Sequence, residues 1–342
     1  MFINSNNWPL EHWHIEVSSK CSLRCPRCTR QEVPDGLINT DLSLDWFEKN
    51  FFELLPHVKK ITFCGDDGDP IYARNFLDII RRIKSINPFT QIVIVTNGSY
   101  KTSDWWTELS SLLSSADHIH FSLDGWDQDS NEIYRVNSDW NSIIAGVQAL
   151  EKNPVRVFTT WAAIAFRFNQ DHMAHMQQMA RDLKFDYFQI THSTKFGSNY
   201  SAYPQDDALE PRAELVAQGR FTRKIENLSN RHWQDLCVGE FVKKYREPIT
   251  MGLINPLCSV GNKGLYINSQ GQFYPCCWTG LRYPHNDNIF SYVDQTDKTI
   301  AEVLDDTSWS KLFDSMKDDS CPSECKEKCS KNLWSLEHAT SW

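Results

Sequence analysis

The sequence predicts an α/β protein in which parallel strands alternate with helices, followed by a small cysteine-rich module. Between His12 and Thr191, six short apolar runs alternate with five amphipathic stretches, which is typical of repeated βα units and a parallel sheet. The 11 cysteines fall into one group near the start of the chain and a second over its last quarter. Right-handed crossovers would roll the sheet toward a barrel or a doubly wound sheet.

Each element follows from its own pattern. Short runs rich in β-branched and aromatic residues predict strands at His12–Val17, Lys60–Phe63, Gln91–Thr96, His118–Leu123, Arg156–Ala165 and Asp186–Thr191. Apolar residues at helical spacing between those runs predict helices at Leu44–Leu55, Asn75–Ile86, Asp104–Ser114, Asn141–Lys152 and Asp171–Leu183. We expect Asn169 or Asp171 to cap the last helix.

A loop suited to ligand binding follows each of the first four predicted strands. These loops are CSLRCPRC (Cys21–Cys28), CGDDGDP (Cys64–Pro70), TNGS (Thr96–Ser99) and SLDGW (Ser122–Trp126). Glycine allows close backbone approach, and the other side chains offer hydrogen-bond donors and acceptors. Because chemistry in such folds sits at the C-terminal ends of the strands, the four loops together predict a site for a polar ligand.

The first loop holds three cysteines, Cys21, Cys25 and Cys28, spaced C-x3-C-x2-C. Three thiolates are one short of a closed zinc site or a fully ligated iron–sulfur cubane. If they hold three irons of a [4Fe–4S] cluster, the fourth iron stays open for a small molecule. Structural zinc completed by a distant His or Cys is the alternative.

The last quarter of the chain predicts a separate module. Lys263–Cys277 has a hairpin pattern, with strands Leu265–Ile267 and Gln272–Tyr274 about an Asn-Ser-Gln-Gly turn. We therefore predict a domain of repeated βα units over residues 1–200, a bridging segment over 201–250 and a cysteine-rich α+β domain over 251–342. A zinc site of four cysteines is an alternative for this last domain.

These motifs resemble those of radical S-adenosylmethionine enzymes. CSLRCPRC matches the family's C-x3-C-x2-C motif, GDDGDP takes the place of its GGEP-type segment, and SLDG matches its fourth-strand segment. The resemblance covers most of the chain. It implies a partial (β/α)6 TIM-type barrel, with a [4Fe–4S] cluster on the three cysteines and S-adenosylmethionine chelated by the open iron.

The resemblance also implies roles for individual residues. The cofactor's amino group would meet Gly68, Asp69 and the backbone of Asp67. Its carboxylate or ribose would meet Ser122 and Asp124, in a pocket also lined by Thr96 and Asn97. The family usually has an aromatic residue before the third cysteine, where this chain has Arg27; we hypothesise that its guanidinium stacks on adenine. Only the Gly-Asp-Pro end of the GGEP-type segment is kept.

The cysteine-rich module resembles the SPASM/twitch extension of many such enzymes, through the pattern Cys258-x12-Gly271-x4-Cys276. The cysteine count implies one auxiliary [4Fe–4S] cluster. Its ligands would be Cys258 and Cys276 with two of Cys321, Cys325 and Cys329, and Cys277 would be a bystander.

Composition excludes other classes of protein. The net charge is −9 and no basic run occurs, which argues against nucleic-acid binding. No stretch approaches the ~18 apolar residues of a membrane span. The first ten residues lack the features of a signal peptide, so we expect a cytoplasmic protein.

The resemblance implies an enzyme that cleaves S-adenosylmethionine reductively to a 5′-deoxyadenosyl radical, which abstracts hydrogen from a substrate. A peptide or protein is the preferred substrate, and a sugar, aminocyclitol or nucleoside is the alternative. The electron would come from an external donor of flavodoxin or ferredoxin type. A hypothesis of another class is a non-catalytic binding protein stabilised by zinc or an iron–sulfur cluster.

Overall fold

The computed structural model describes residues 11–32, 34–192, 206–220, 224–236, 265–274, 277, 293–294, 300–304, 315 and 320. The strands are β1 (His12–Ile15), β2 (Lys60–Phe63), β3 (Gln91–Thr96), β4 (His118–Ser122), β5 (Phe158–Ala165), β6 (Tyr187–His192), β7 (Lys224–Asn227), β8 (Leu265–Ile267), β9 (Gln272–Tyr274) and β10 (Val293–Asp294). The helices are α1 (Thr29–Glu32), α2 (Leu44–Asn50), α3 (Phe76–Ile86), α4 (Ser103–Leu112), α5 (Gln128–Glu132), α6 (Trp140–Glu151), α7 (Met173–Asp182), α8 (Ala213–Ala217) and α9 (Ile300–Leu304). This alternation confirms the predicted α/β class.

The chain divides into two compact units. The first consists of Met1–Lys20, Ile38–Ile92 and Gln234–Trp342, and the second of Cys21–Leu37 and Val93–Trp233. In the first unit, the strand order is β10-β9-β8-β1-β2. β1 runs parallel to both β2 and β8, whereas β8 and β9 form an antiparallel hairpin. Strands from the two ends of the sequence therefore lie side by side in this unit.

The two faces of β1 differ in chemistry, as the period of two in a strand requires. Trp13 and Ile15 are fully buried, and the Trp13 ring meets Phe51 edge to face at 5.2 Å. His12 and His14 alternate with them and make polar contacts: the rings reach Thr62 at 3.0 Å and the Cys64 carbonyl at 3.2 Å. One face of the strand is thus apolar core, and the other is a buried polar surface.

The predicted helix Leu44–Leu55 is interrupted. Ser43 caps α2 by accepting the Trp46 N–H, but α2 ends at Asn50 and a 3₁₀-helix follows over Phe52–His57. Phe51, between them, has φ −122° and ψ −34°, and Pro56 has no N–H to continue an α-helix. Phe47, Phe51 and Leu55 are all fully buried. The apolar spacing therefore predicts the buried face correctly, but the prediction of one continuous α-helix is wrong.

In the second unit, the strand order is β3-β4-β5-β6-β7. β3 to β6 are parallel, and β7 pairs antiparallel with β6. β7 lies in the predicted bridging segment, where the sequence has no clear strand pattern; three of its four residues are exposed. The expected cap of α7 is also wrong, because His172 occupies the N-cap position without a side-chain bond.

Other predictions are confirmed closely. β2 and β3 have the predicted bounds, as do the strands of the hairpin, β8 and β9. Apart from α2, the other predicted strands and helices shift at their ends by one or two residues. No helix in the described part of the chain is long and apolar enough to span a bilayer.

Candidate active site

The loop Cys21–Cys28, hereafter the triplet loop, is pinned to the segment that follows α5 in the second unit. The Arg24 N–H donates to the Val136 carbonyl at 3.0 Å, and the Asn137 side chain donates to the Ser22 carbonyl at 2.8 Å. Asn137 has a positive φ of 67°, a conformation that asparagine tolerates better than most residues. The backbone of the triplet loop is therefore held at two points.

The three cysteines of the triplet loop share one apolar environment. Cys25 is buried in a cluster with Leu23, Tyr134, Phe166 and Leu209, and the half-buried Cys21 and Cys28 pack against the same cluster. Burial raises the pKa of the Cys25 thiol to about 11. A thiolate there needs positive charge or hydrogen-bond donors.

Asn97 supplies such a donor. Its amide donates to the Cys21 sulfur at 3.7 Å, while its side-chain oxygen accepts the Ser99 N–H at 2.9 Å. The turn after β3 is tightened by Gly98, whose φ is +76°. A Cβ at Gly98 would stand 2.9 Å from the Phe121 ring. The predicted TNGS loop thus brings Asn97 to a cysteine of the triplet loop.

Asp124 and Arg135 form a buried ion pair beside the same cysteines. The Arg135 Nε donates to Asp124 Oδ2 at 2.6 Å, with the Asp124 side chain 0% and the Arg135 side chain 15% exposed. Burial by itself would lower the pKa of the Arg135 guanidinium, but the charges of Asp124 and Cys25 raise it above its usual value. The positive charge of Arg135 also lowers the pKa of the Cys25 thiol, against the raising effect of burial, so a permanent positive charge acts on the triplet loop.

The loop that carries Asp124 is fixed by hydrogen bonds from two asparagines. Asn131 accepts the N–H groups of Asp124 and Gly125 at 3.0 and 3.1 Å, and Asn169 donates to the Asp124 carbonyl at 2.7 Å. The remaining carboxylate oxygen of Asp124 accepts the Ile164 N–H at 2.7 Å. Both carboxylate oxygens of Asp124 therefore have protein partners, and Asn169 serves this loop rather than capping α7.

The loop Cys64–Pro70, hereafter the strand-two loop, lies in the first unit and is organised by Glu16. Glu16 Oε1 accepts the N–H groups of Asp67 and Gly68 at 2.7 and 3.1 Å. Asp69 is buried, and its side chain caps the following 3₁₀-helix by accepting the Ile71 N–H at 3.2 Å. The Asp69 N–H donates to the Lys20 carbonyl at 3.0 Å.

Glycine is required at two positions of the strand-two loop. A Cβ on Gly68 would lie 2.0 Å from the Ser18 carbonyl oxygen, and one on Gly65 would lie 2.6 Å from Glu16 Oε1. A backbone carbonyl has little freedom to move aside. The loop can therefore pack this closely on the segment after β1 only because both residues lack a side chain.

The residues of the triplet loop fit an iron–sulfur cluster. Three thiols from one short loop meet a nearby arginine and an amide donor, both of which stabilise thiolate charge. In the part of the chain that the structure describes, no three His, Cys, Asp or Glu side chains converge as ligands of one metal ion.

The other predicted residues are placed as follows. Thr96 ends β3 and is buried, with its hydroxyl accepting the Gly98 N–H at 3.0 Å. Ser122 ends β4, and Arg27 is buried in the triplet loop; stacking of Arg27 on adenine remains a prediction. The predicted auxiliary ligands lie outside the described residues: Cys258, Cys276, Cys321, Cys325 and Cys329. Cys277 is buried and packs with Tyr266 and Tyr274.

Sequence reasoning missed several residues of this site. Glu16 lies inside the predicted strand His12–Val17, outside every predicted loop motif, and its place in the site follows only from its contacts with the strand-two loop. Arg135 and Asn131 lie outside every predicted loop motif, so no local pattern marks them. Their roles come from tertiary contacts with Asp124, which only the fold provides.

Comparison with known proteins identifies two family models in the chain. Residues 15–180 match the radical SAM superfamily, and residues 258–330 match the iron–sulfur cluster-binding domain called SPASM. The cofactor-modifying protein of tungsten-containing aldehyde ferredoxin oxidoreductase from Pyrococcus furiosus is 32% identical over 34% of this chain and 31% of its own length. GTP 3′,8-cyclase from Desulforamulus reducens is 28% identical over 50% of this chain and 51% of its own. The chain thus spans about half, or less, of these curated relatives.

Solved structures share the fold over more of the chain. Native anSMEcpe with bound AdoMet has a TM-score of 0.58 at 13% identity, covering 96% of this chain and 94% of that one. Native anSMEcpe with bound AdoMet and the Kp18Cys peptide has a TM-score of 0.57 at 14% identity, covering 90% of this chain and 83% of that one. At this identity the likeness concerns the fold alone.

Proposed function

Because the chain belongs to the radical S-adenosylmethionine superfamily and carries a SPASM iron–sulfur domain, we propose that it cleaves S-adenosylmethionine reductively and abstracts a hydrogen atom from a peptide or protein. A [4Fe–4S] cluster held by Cys21, Cys25 and Cys28 would supply one electron to the sulfonium, which would break the S–C5′ bond and give methionine and a 5′-deoxyadenosyl radical. That radical takes a hydrogen atom from the substrate and leaves as 5′-deoxyadenosine. The protein contributes binding, orientation and electrostatics.

The observation that carries this proposal is the environment of the triplet loop. Cys21, Cys25 and Cys28 pack on one apolar cluster, the Asn97 amide donates to the Cys21 sulfur, and the charge of Arg135 lowers the pKa of Cys25. A structural zinc site or a fully ligated cubane is closed by four protein ligands, whereas this loop offers three cysteines. Three thiolates leave one iron of a cubane without a protein ligand, which is where the cofactor's amino and carboxylate groups would bind.

The other predicted residues would orient the cofactor. We propose the strand-two loop, with Asp67, Gly68 and Asp69, as the binding site for the amino group. We assign Thr96, Asn97 and Ser122 to the walls of the cofactor pocket, and Arg27 to the adenine. Asp124 has both carboxylate oxygens occupied, so we propose that it acts by holding Arg135 in place.

A peptide or protein substrate is supported by the two-domain organisation. The solved anSMEcpe structure that holds a peptide resembles this chain over 90% of its length, beyond the barrel alone. A second candidate is a nucleotide, because the curated GTP 3′,8-cyclase is 28% identical over half of this chain. We prefer the peptide, since the structure that holds one shares the fold over 90% of this chain, whereas the GTP 3′,8-cyclases match over between 40% and 78% of it. An external low-potential protein of flavodoxin or ferredoxin class would supply the electron.

We propose Cys258 and Cys276, with two of Cys321, Cys325 and Cys329, as ligands of one auxiliary [4Fe–4S] cluster. This cluster could accept the electron left on the substrate after hydrogen abstraction, which would favour net oxidation or cross-linking. Anaerobic reconstitution tests the number of clusters: about eight irons and eight sulfides per chain are expected for two cubanes. A variant in which Cys21, Cys25 and Cys28 are all replaced by Ala should retain about four of each. Bound zinc in place of iron would contradict the proposal.

The substrate class is tested with the reconstituted protein, S-adenosylmethionine and dithionite. Peptides encoded beside the gene should increase the rate of 5′-deoxyadenosine formation, and the matching peptide should change in mass. GTP added at the same concentration should leave that rate unchanged. Stimulation by GTP with a new nucleotide product would replace the peptide proposal with the second candidate.

A further inference from the structure

Glu16 connects two elements that are far apart in the sequence. Its Oε1 accepts the N–H groups of Asp67 and Gly68 in the strand-two loop, at 2.7 and 3.1 Å. Its Oε2 accepts the hydroxyl of Tyr266 in β8 at 3.1 Å. The residue is only 3% exposed, so its carboxylate is committed to these protein partners.

The geometry around this carboxylate is close-packed. The Glu16 N–H donates to the Ile267 carbonyl at 2.8 Å, which fixes the backbone of Glu16 against β8. Gly65 leaves space for the Glu16 side chain, because a Cβ at Gly65 would lie 2.6 Å from Glu16 Oε1. The His14 ring meets the Tyr266 ring edge to face at 5.0 Å and donates to the Cys64 carbonyl, where the strand-two loop begins.

The two partners of Glu16 belong to regions with different proposed tasks. The strand-two loop is the proposed binding site for the cofactor's amino group. Tyr266 lies on the β8–β9 hairpin, inside the SPASM match over residues 258–330. The hydrogen bonds of one carboxylate thus join the SPASM segment to the proposed cofactor loop, within a single compact unit of the fold.

We infer that Glu16 is a positioning residue: it holds the strand-two loop in the shape that receives the amino group of S-adenosylmethionine, and through Tyr266 it makes that shape depend on the β8–β9 hairpin. This inference rests on the proposed function and deepens it. The N–H groups of Asp67 and Gly68 both donate to the carboxylate, so Glu16 fixes the orientation of two successive peptide groups of the loop. When the loop is held in this orientation, its backbone carbonyl oxygens can accept hydrogen bonds from the positively charged amino group of S-adenosylmethionine.

Burial and the nearby charge of Asp67 raise the pKa of Glu16 to about 7, against the opposing effect of the hydrogen bonds from the loop N–H groups and from Tyr266. The hydrogen bonds, rather than a full negative charge, are therefore what a substitution must preserve. A glutamine at position 16 keeps the oxygen that accepts both loop amides and gains an N–H₂ group for the Tyr266 oxygen. Glu16→Gln should therefore preserve the loop, whereas Glu16→Ala should release it.

The test compares four full-length variants with the wild type: Glu16→Ala, Glu16→Gln, Tyr266→Phe and, as a control, Tyr274→Phe. Tyr274 lies on the same hairpin, but its hydroxyl donates to Gln272 at 3.4 Å. Hydrogen–deuterium exchange of the peptide covering Cys64–Pro70 is measured without cofactor. The KM and kcat for S-adenosylmethionine are then measured after reconstitution.

We expect Glu16→Ala to speed amide exchange in the strand-two loop and to raise KM by about tenfold or more with a smaller change in kcat, because the acceptor for the N–H groups of Asp67 and Gly68 is lost. Tyr266→Phe should have the same effects in weaker form, while Glu16→Gln and Tyr274→Phe should resemble the wild type. Unchanged exchange and KM in Glu16→Ala, or equal effects of the two tyrosine variants, would overturn the inference. A wild type that forms no 5′-deoxyadenosine would instead refute the proposed function, since the exchange data do not depend on the cofactor.

Discussion

The guanidinium of Arg135 donates to the carboxylate of Asp124 at 2.6 Å in the second unit, and the Asp124 side chain is completely buried. Asp124 lies in the SLDG segment, and the positive charge of Arg135 lowers the pKa of Cys25 against the effect of burial. The pair therefore joins the loop after β4 to the proposed cluster ligands. Its energetics differ from those of a surface ion pair, because removing one partner leaves a buried charge uncompensated.

Arg135→Ala should lower the free energy of unfolding by about 3–5 kcal/mol, the usual cost of breaking a buried ion pair. It should also reduce 5′-deoxyadenosine formation. Urea denaturation of the purified chain measures the first effect. The control is Arg82→Ala, which removes an exposed pair with Glu48 at 2.8 Å and should leave the denaturation midpoint nearly unchanged. Equal midpoints for the two variants would contradict the role given to Arg135.

Asn97→Ser should lower the reduction potential of the cluster. Serine retains an oxygen that can accept the Ser99 N–H and keep the turn, but it lacks the amide that donates to the Cys21 sulfur at 3.7 Å. Hydrogen bonds to cluster sulfurs favour the reduced form, so losing one makes reduction harder. A redox titration followed by electron paramagnetic resonance measures the shift. An unchanged or higher potential would show that Asn97 does not act on the cluster.

Gly68→Ala should weaken S-adenosylmethionine binding while leaving the iron content of the triplet cluster intact. The added Cβ would lie 2.0 Å from the Ser18 carbonyl oxygen, so the strand-two loop must move. Gly36→Ala is the matched control, because a Cβ there meets nothing within 4 Å and the cost is limited to its positive φ. Equilibrium binding of S-adenosylmethionine to the reconstituted proteins measures the difference. Equal affinity in the two variants would argue against this loop as the amino-group site.

The stability of the protein should depend on pH through Glu16. Burial, reinforced by the charge of Asp67, raises its pKa from 4.5 to about 7, so the folded chain holds this proton more tightly than the unfolded chain. The resulting stabilisation is complete below pH 4.5 and is lost as the pH rises through 7. Its size is on the order of 3 kcal/mol, from about 1.4 kcal/mol for each pH unit.

Glu16→Gln removes this titration and keeps the hydrogen bonds. Its denaturation midpoint should therefore exceed that of the wild type at about pH 8, above the folded-state pKa of Glu16, and the gap should narrow at about pH 5.5, below that pKa. Denaturant unfolding of both proteins at the two pH values measures this. If the midpoints of the two proteins changed by the same amount between these two pH values, Glu16 would not titrate in this range.

The sequence predicted much of the fold because its strands are short, apolar and punctuated by loops. β2, β3 and the β8–β9 hairpin have the predicted bounds, since β-branched and aromatic runs there end at glycine or polar residues. The helix after Ser43 was predicted in one piece, because apolar spacing cannot distinguish an α-helix from a 3₁₀-helix. β7 was missed because an exposed edge strand needs no apolar alternation.

The residues of the candidate site likewise fall into those that the sequence predicts and those that it does not. Cysteine spacing and loop motifs gave Cys21, Cys25, Cys28, Asn97 and Asp124, because these residues lie in local patterns. Arg135, Asn131 and Tyr266 act through partners that are distant in sequence or outside the motif, so no window of sequence reveals them. Asn169 was assigned to the helix it precedes, although its side chain donates to the Asp124 carbonyl.

The central claim is that the triplet loop binds the cluster that cleaves S-adenosylmethionine. The most direct measurement is 5′-deoxyadenosine formed by the reconstituted protein with S-adenosylmethionine and dithionite, compared between wild type, Cys25→Ala and the control Cys277→Ala. We expect product from the wild type and from Cys277→Ala, and none above the background of reductant alone from Cys25→Ala. Product from Cys25→Ala at the wild-type rate would contradict the central claim.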